Sequence, residues 1–412
     1  MDCIRLTAIS ALAATLALAS GSAVHAAQAD DPPAIPTTRS TELNLDAQIM
    51  YDSNVSRSDR ATAAKRGLAL ADEIGSPSAS LILARPIGRT TYFLKASGGY
   101  SFYATNTVRN RDHFDIEPAV ATHLGPCQET VWGAYDQAES DLTDLAVGIN
   151  TNTHEHAAVN LTASCGRPIG FAPSVTVGEA WLNSSATQLR VVDSRTFKVT
   201  PALVYQRPTF GAVSVFGEFA ETTFPNRLLI SPQLTIFTYG YNLYVGGFRY
   251  ERHLGGRLDL SASVSYTALR PNASNSPAFN GLTYSADATY AVSSRISLHG
   301  ALARATVPSN RIQANFSVDE TYEGDVSYKF GTRLTLSLTG KSESKDYRLA
   351  PGAGPALDLT QQTIYSALGS LTYNLNKHVA VTLDAGDEER QTNFTGLTYS
   401  STRVDLQTRV TF

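Results

Sequence analysis

Arg403-Val404-Asp405-Leu406-Gln407-Thr408-Arg409-Val410-Thr411-Phe412 ends the chain, and its alternation decides the fold. Val404, Leu406, Val410 and Phe412 share one parity; Arg403, Asp405, Gln407, Arg409 and Thr411 take the other. A period of two sends the first set to one face of a strand and the second to the opposite face. A strand that is apolar on one side and charged on the other suits a closed wall with lipid outside and water inside. The expected fold class is therefore all-β: a transmembrane antiparallel up-and-down barrel of about 18 strands, or 16.

An aromatic that closes the chain on the apolar face resembles the C-terminal signature of bacterial outer-membrane barrels. That resemblance implies Phe412, Val410 and Leu406 as an assembly signal and the outer-membrane barrel assembly machinery as a partner. The other end of the chain agrees. Arg5 precedes a charge-free run from Leu6 to Ala19, and Val24-His25-Ala26 makes a small-x-small cleavage site. This reads as a secretory signal peptide over 1–26, for export through the periplasm. Cys3 lies before the apolar run and no cysteine closely follows the cleavage site, which argues against a lipoprotein anchor. Residues 27–40 hold Asp30, Asp31, Pro32, Pro33 and Pro36. Such a stretch reads as an extended periplasmic leader with no core to join. The barrel takes 41–412.

Composition fits. The chain is only 42% hydrophobic, with a net charge of -4. No apolar run after the signal peptide reaches the roughly 18 residues of a spanning helix. The charge leaves no basic footprint for nucleic acid. A polar average with strong alternation is how a barrel in a lipid bilayer looks to a hydropathy count. A soluble secreted β-protein is the competing class.

From Thr41–Tyr51 to Ser400–Phe412, eighteen alternating segments can be marked. Short turns at Gly88-Arg89, Gly125-Pro126, Pro208-Thr209, Gly331-Thr332 and Asn376-Lys377 alternate with long polar stretches such as Asp52–Ser76, Asp141–Thr153 and Asp346–Gln362. Tight periplasmic turns and longer external loops produce that rhythm; a Greek-key sandwich does not. Pro118, Pro173 and Pro201 fall inside segments and each removes a ladder donor, so bulges or shifted boundaries are expected there. Tyr51, Phe102, Tyr205, Tyr250, Tyr266, Tyr284, Tyr328, Phe330, Tyr373, Tyr399 and Phe412 cluster toward segment ends, where interfacial girdles place aromatic rings. The parity of Phe210–Thr223, Cys127–Glu139 and Phe237–Arg252 is ambiguous.

The polar parity supplies lumen-lining candidates. Its acids are Glu42, Asp46, Asp115, Glu117, Asp259, Asp287, Glu323, Asp325, Asp384 and Asp405; its bases are Lys198, Lys329, Lys341, Arg403 and Arg409. Mixed charge with an acidic excess predicts weak cation preference or tolerance of neutral solutes. Two cysteines lie beyond the cleavage site. In a hairpin centred near residue 146, positions summing to 292 face each other, which pairs Cys127 with Cys165 within disulfide reach. Two reduced thiols are the alternative.

Chemistry is weakly signalled. His154-Glu155-His156 puts two imidazoles on one face but lacks the spacing and third ligand of a zinc site. Asp384, Glu388 and Arg390 share a parity, as do Asp319, Glu323 and Asp325, yet lumen walls are routinely charged. No nucleophile elbow, phosphate loop or metal loop is present. The sequence calls for no enzyme, no metal and no cofactor.

Ile49-Met50-Tyr51-Asp52-Ser53-Asn54-Val55-Ser56-Arg57 resembles the opening of the putative beta-barrel porin 2 family, where an aromatic-Asp-x-Asn cluster follows the first strand. The resemblance implies an outer-membrane barrel of 16 to 18 strands. It also implies polysaccharide export components as candidate partners, since members often belong to exopolysaccharide secretion systems. It carries over no catalytic residue. Asp52 and Asn54 read equally well as turn formers at the external rim. The loop after them is the longest, and Ala61–Glu73 within it has the composition of a short helix that either folds inward across the pore or caps the rim. Two functions follow: a pore for exopolysaccharide or small polar solutes, or a structural or adhesive barrel with a plugged lumen and ligand-binding external loops.

Overall fold

The computed structural model describes residues 32–140, 142–143, 151–166, 169–230, 236–273, 276–309, 311, 314–349 and 359–412. The signal-peptide expectation and the first part of the leader lie outside these residues. Eighteen strands follow in order: β1 Ser40–Asp52, β2 Asp72–Ile87, β3 Thr90–Tyr103, β4 Arg111–Leu124, β5 Cys127–Glu139, β6 Thr153–Ser164, β7 Gly170–Ser184, β8 Ser194–Arg207 and β9 Gly211–Ile230. Then come β10 Ile236–Leu254, β11 Leu258–Pro271, β12 Phe279–Ala291, β13 Ile296–Pro308, β14 Ala314–Phe330, β15 Leu334–Leu349, β16 Gln361–Asn374, β17 Val379–Thr392 and β18 Tyr399–Thr411. Each pairs antiparallel with its sequence neighbours, and β1 pairs with β18, so the sheet has no free edge. Closure is what lets a sheet sit in lipid, because every interior backbone group is paired. No described helix is long and apolar enough to cross a membrane.

The period-two reading holds around the wall. In β1, Leu43, Leu45, Ile49 and Tyr51 are exposed while Asn44 and Asp52 are buried. Across the seam, Leu45 faces Val410, Ile49 faces Leu406 and Tyr51 faces Val404, giving one continuous outward apolar surface. Phe102, Tyr205, Tyr266, Phe330, Tyr373 and Phe412 also point outward and are exposed. Tyr399 departs from the girdle expectation. It is buried, and its hydroxyl donates to Glu388 Oε1 at 2.5 Å; its odd number gives it the inward parity of Arg403 and Asp405.

The prolines behave differently from expectation. At Pro118 and Pro201 the ladder skips pairs, but the register is the same on either side. Pro173 is paired with Leu203. Losing one N–H drops a rung without forcing an extra residue into the strand. The register shifts instead at Thr238/Tyr239 and at Ala314/Phe316.

The long-loop end is packed. Phe224, Tyr239, Tyr241, Leu269 and Phe316 form one buried cluster, and Ala314, Tyr347, Leu359 and Leu397 another. The first six residues of β14, from Ala314 to Asp319, are all buried, so that strand enters the barrel between two layers. In the first loop, helix α1 covers only Arg60–Arg66, shorter than the Ala61–Glu73 expected. Asp59 caps its start by accepting from the Thr62 amide at 2.7 Å. Gly67 ends it at φ 68, a left-handed conformation that glycine adopts without steric cost. Glu73 belongs to β2.

Candidate functional site

The inward face carries the charge. All the lumen candidates stand on the parity opposite the exposed apolar side chains, and most are joined into pairs. Lys95 Nζ lies 2.9 Å from Glu117 Oε1 and 4.0 Å from Asp115 Oδ1. His299 bridges Asp287 and Asp325 at 2.8 and 2.7 Å, and Thr339 donates to Asp325. Glu343 sits between Lys341 and Lys345 at 3.2 and 3.1 Å. Arg409 Nε meets Asp46 Oδ1 at 2.7 Å, Asn44 donates to Glu42 at 3.0 Å, and His253 meets Asp259 at 2.6 Å.

The motif after the first strand sits at the seam where the barrel closes. Asp52 accepts from Arg57 Nη2 at 2.7 Å and Ser401 Oγ at 2.6 Å, with Arg403 Nε at 3.3 Å. Arg403 also reaches Glu388 at 2.8 Å. The Asn54 amide N–H donates to Asp52 Oδ1 at 2.8 Å, and the Asn54 side chain donates to the Ser58 carbonyl at 3.0 Å. Asp52 and Asn54 are thus turn formers and also members of a buried ion-pair network. Arg57 adopts φ 50, the one non-glycine residue with positive φ among those described. Burial works against its guanidinium charge, but Asp52, Tyr399 and Glu388 together outweigh it and hold the group above the ordinary arginine range.

Leu142 and Thr143, which follow β5, make contacts with distant parts of the mouth. Leu142 is buried among Leu68 of the first loop and Leu189 and Val192 of the loop between β7 and β8. Its carbonyl accepts from Arg66 Nη2 at 3.3 Å. The next carbonyl, that of Thr143, accepts from Arg311 Nη1 at 3.2 Å and from Arg390 Nη2 at 2.8 Å. Arg311 lies between β13 and β14, about half the circumference from β5. Arg390 also donates to Gln362. The first loop joins this arrangement through Arg66, which donates to the Ser56 carbonyl at 2.7 Å, and through Arg109, which donates to the Val55 carbonyl at 3.2 Å. Asp193 fixes the loop that carries Leu189 and Val192; burial raises its carboxyl above the usual range, opposed by donors from Ser184 at 2.8 Å and Asn226 at 3.1 Å.

At the short-turn end, Ala84, Phe93, Ala119 and Trp132 form an inward-facing apolar cluster. Ile35 packs against it. Within its described part the leader therefore does have a core to join, contrary to expectation: a water-facing wall that presents an indole there gains by covering it. Cys127 and Cys165 are disulfide-bonded, with Cα atoms 3.9 Å apart.

Catalytic and metal-binding arrangements are few. Among the described residues, His299, Glu323 and Asp325 could share a metal ion. Both imidazole nitrogens of His299 are already engaged by Asp287 and Asp325, which fits a structural bridge. His154 Nε2 lies 3.6 Å from Asp136, and its Nδ1 lies 3.3 Å from Ser140 Oγ.

A closed sheet of eighteen strands, apolar outside and charged inside, is an outer-membrane porin-like barrel. The family whose pattern residues 238–412 carry is the putative beta-barrel porin 2 family. That stretch is separate from Ile49–Arg57, on which the resemblance rested. No curated protein matches the chain. Among solved structures, Pseudomonas aeruginosa OccK2 (OpdF) is 10% identical with a TM-score of 0.49, over 90% of this chain and 98% of that one. A BenF-like porin from Pseudomonas fluorescens is 11% identical with a TM-score of 0.48, over 90% and 99%. The siderophore receptor PirA from Acinetobacter baumannii is 9% identical with a TM-score of 0.47, over 92% and 81%.

Proposed function

We propose that the barrel is a passive pore for small polar solutes, narrowed at its external mouth by Leu142 and Thr143. The observation that carries this reading is the Thr143 carbonyl held between Arg311 and Arg390 above a charged lumen. Backbone at membrane depth or at a pore mouth must find partners inside the protein, and two arginines supply them to the Thr143 carbonyl. Small hydrophilic molecules pass beside this narrowing; a polysaccharide chain passes only if it is released. The wall's acidic excess favours cations weakly. In this reading the signal peptide directs the chain through the periplasm, Phe412 marks it for barrel assembly, and the short turns face the periplasm.

Planar-bilayer recording of the purified full chain tests the reading. The expected result is discrete conductance steps with a reversal potential showing mild cation preference in a salt gradient. Repeated failure to conduct, by the native chain and by a variant lacking both clamp arginines, would favour a structural or adhesive barrel. Loss of surface polymer on gene deletion would instead assign the pore to exopolysaccharide.

A further inference from the structure

Two acids inside the wall make no close ion pair among the described residues. Asp384 of β17 and Asp405 of β18 are register partners on the inward face. Asp384 is 1% exposed and Asp405 3%. Apart from the Asp405 carboxyl, which lies within hydrogen-bond reach, neither oxygen of Asp384 has a donor among the described residues. Asp405 has one, Gln48 Nε2, at 3.1 Å from Oδ1.

The arginines of this wall make their close contacts with other acids, although the charge of Arg403, two residues from Asp405 on the same face, also reaches Asp405. Arg409 holds Asp46 at 2.7 Å, and Arg403 holds Asp52 and Glu388 at 3.3 and 2.8 Å. An ionised carboxylate buried without a partner is strongly disfavoured, and a second carboxylate beside it makes matters worse. Protons and metal cations are the two species that relieve such a pair. The surroundings favour the metal. Ser370 faces Asp384 across the β16–β17 ladder, and Gln407 follows Asp405 on the same face, so the pair stands among oxygen-bearing side chains. Carboxylate, hydroxyl and amide oxygens are the donor set of hard cations, and no thiolate or imidazole is present to favour a softer metal.

We propose that Asp384 and Asp405 bind one hard divalent cation of the Ca2+ type within the barrel wall. The site is independent of the pore reading, since it concerns how two strands are held together and not what passes between them.

Calorimetric titration of Ca2+ into the EDTA-treated full-length protein in detergent tests the site. The thermal unfolding midpoint is read with and without the ion. The native chain is expected to bind Ca2+ and to unfold at higher temperature in its presence. Asp384→Asn is expected to weaken binding at least tenfold and to abolish the shift. Its metal-free form should be no less stable than the native chain, because a buried unpaired charge has gone. Asp405→Asn serves as the second variant should the first fail to fold. Glu389→Gln, on the outward face, should leave both readouts intact. Absence of Ca2+ binding by the native chain means that the pair shares a proton and overturns the proposal, as does equal binding by the native chain and both asparagine variants.

Discussion

The Thr143 carbonyl and the Arg390 guanidinium, 247 residues apart in sequence, are joined by a 2.8 Å hydrogen bond across the barrel mouth. Arg311 donates to the same oxygen. Arg390→Ala leaves one donor where there were two. A hydrogen bond to a charged group contributes about 1.5–3 kcal/mol, so release of the loop should become roughly ten- to hundred-fold more populated. Single-channel recordings should show longer or larger open events for Arg390→Ala and more so for the double variant with Arg311→Ala. Traces indistinguishable from the native chain would mean that Thr143 does not gate.

Asp52 and Arg57 make the second relationship with a measurable consequence. Their ion pair is buried at the seam and shared with Arg403. Removing one partner of a buried pair costs about 3–5 kcal/mol, because the other charge is left stranded. Arg57→Ala should therefore lower the urea midpoint of the detergent-solubilised barrel and expose the first loop to protease. Arg57→Gly separates two effects, since it relieves the left-handed backbone at φ 50 while still deleting the charge. It should recover a fraction of the loss, on the order of 1 kcal/mol. Full recovery would show that backbone strain, not the ion pair, set the stability.

The wall was legible and the mouth was not. Lipid and water sort side chains by parity, so Leu406 and Asp405 announce their faces within a few residues of each other. Strict use of that parity also turns Tyr399 inward; attention to strand ends alone misplaces it. At the mouth, Thr143 acts through its backbone carbonyl, a group every residue carries, and no sequence pattern marks it. Arg311, between β13 and β14, and Arg390, on β17, reach it only because the closed wall brings distant hairpins to one rim. Trp132 was hidden for another reason: glycine and mixed residues blur the alternation of Cys127–Glu139, so its inward direction, and with it the docking place of Ile35, had no local signal. The motif residues Asp52 and Asn54 were visible as turn formers, while their ion-pair role required β18 to close beside β1.

Ile35 and Trp132 yield a spectroscopic prediction. The chain has two tryptophans, Trp132 and Trp181, and Trp181→Phe leaves one reporter. In that background Ile35→Asp should undock the segment before β1 and shift Trp132 emission to the red as its ring meets lumen water. Removing the contact of one half-buried aliphatic side chain costs about 1 kcal/mol, enough to undock a short extended segment while the barrel stays folded. Unchanged emission, with the heat-resistant mobility of the folded barrel retained, would show that Ile35 does not cover the indole.

Cys127 and Cys165 fasten the end of the β5–β6 hairpin that its connecting loop leaves open. They lie 38 residues apart in sequence and flank the Gln128–Ser164 rung. In the folded barrel that ladder already holds the two strands, so the covalent link adds little to native geometry. Its effect falls on the unfolded chain, where closing a loop of this size removes conformations equivalent to about 4 kcal/mol at most. The double variant Cys127→Ser with Cys165→Ser should therefore conduct normally, yet unfold in urea with a stability lower by roughly 2–4 kcal/mol. Reduction of the native protein after unfolding should match it, and peptide mapping without reductant should recover the two cysteines in one linked fragment. Alkylation of both thiols in unreduced protein would remove the bridge from this account, and the stability difference would then have to vanish with it.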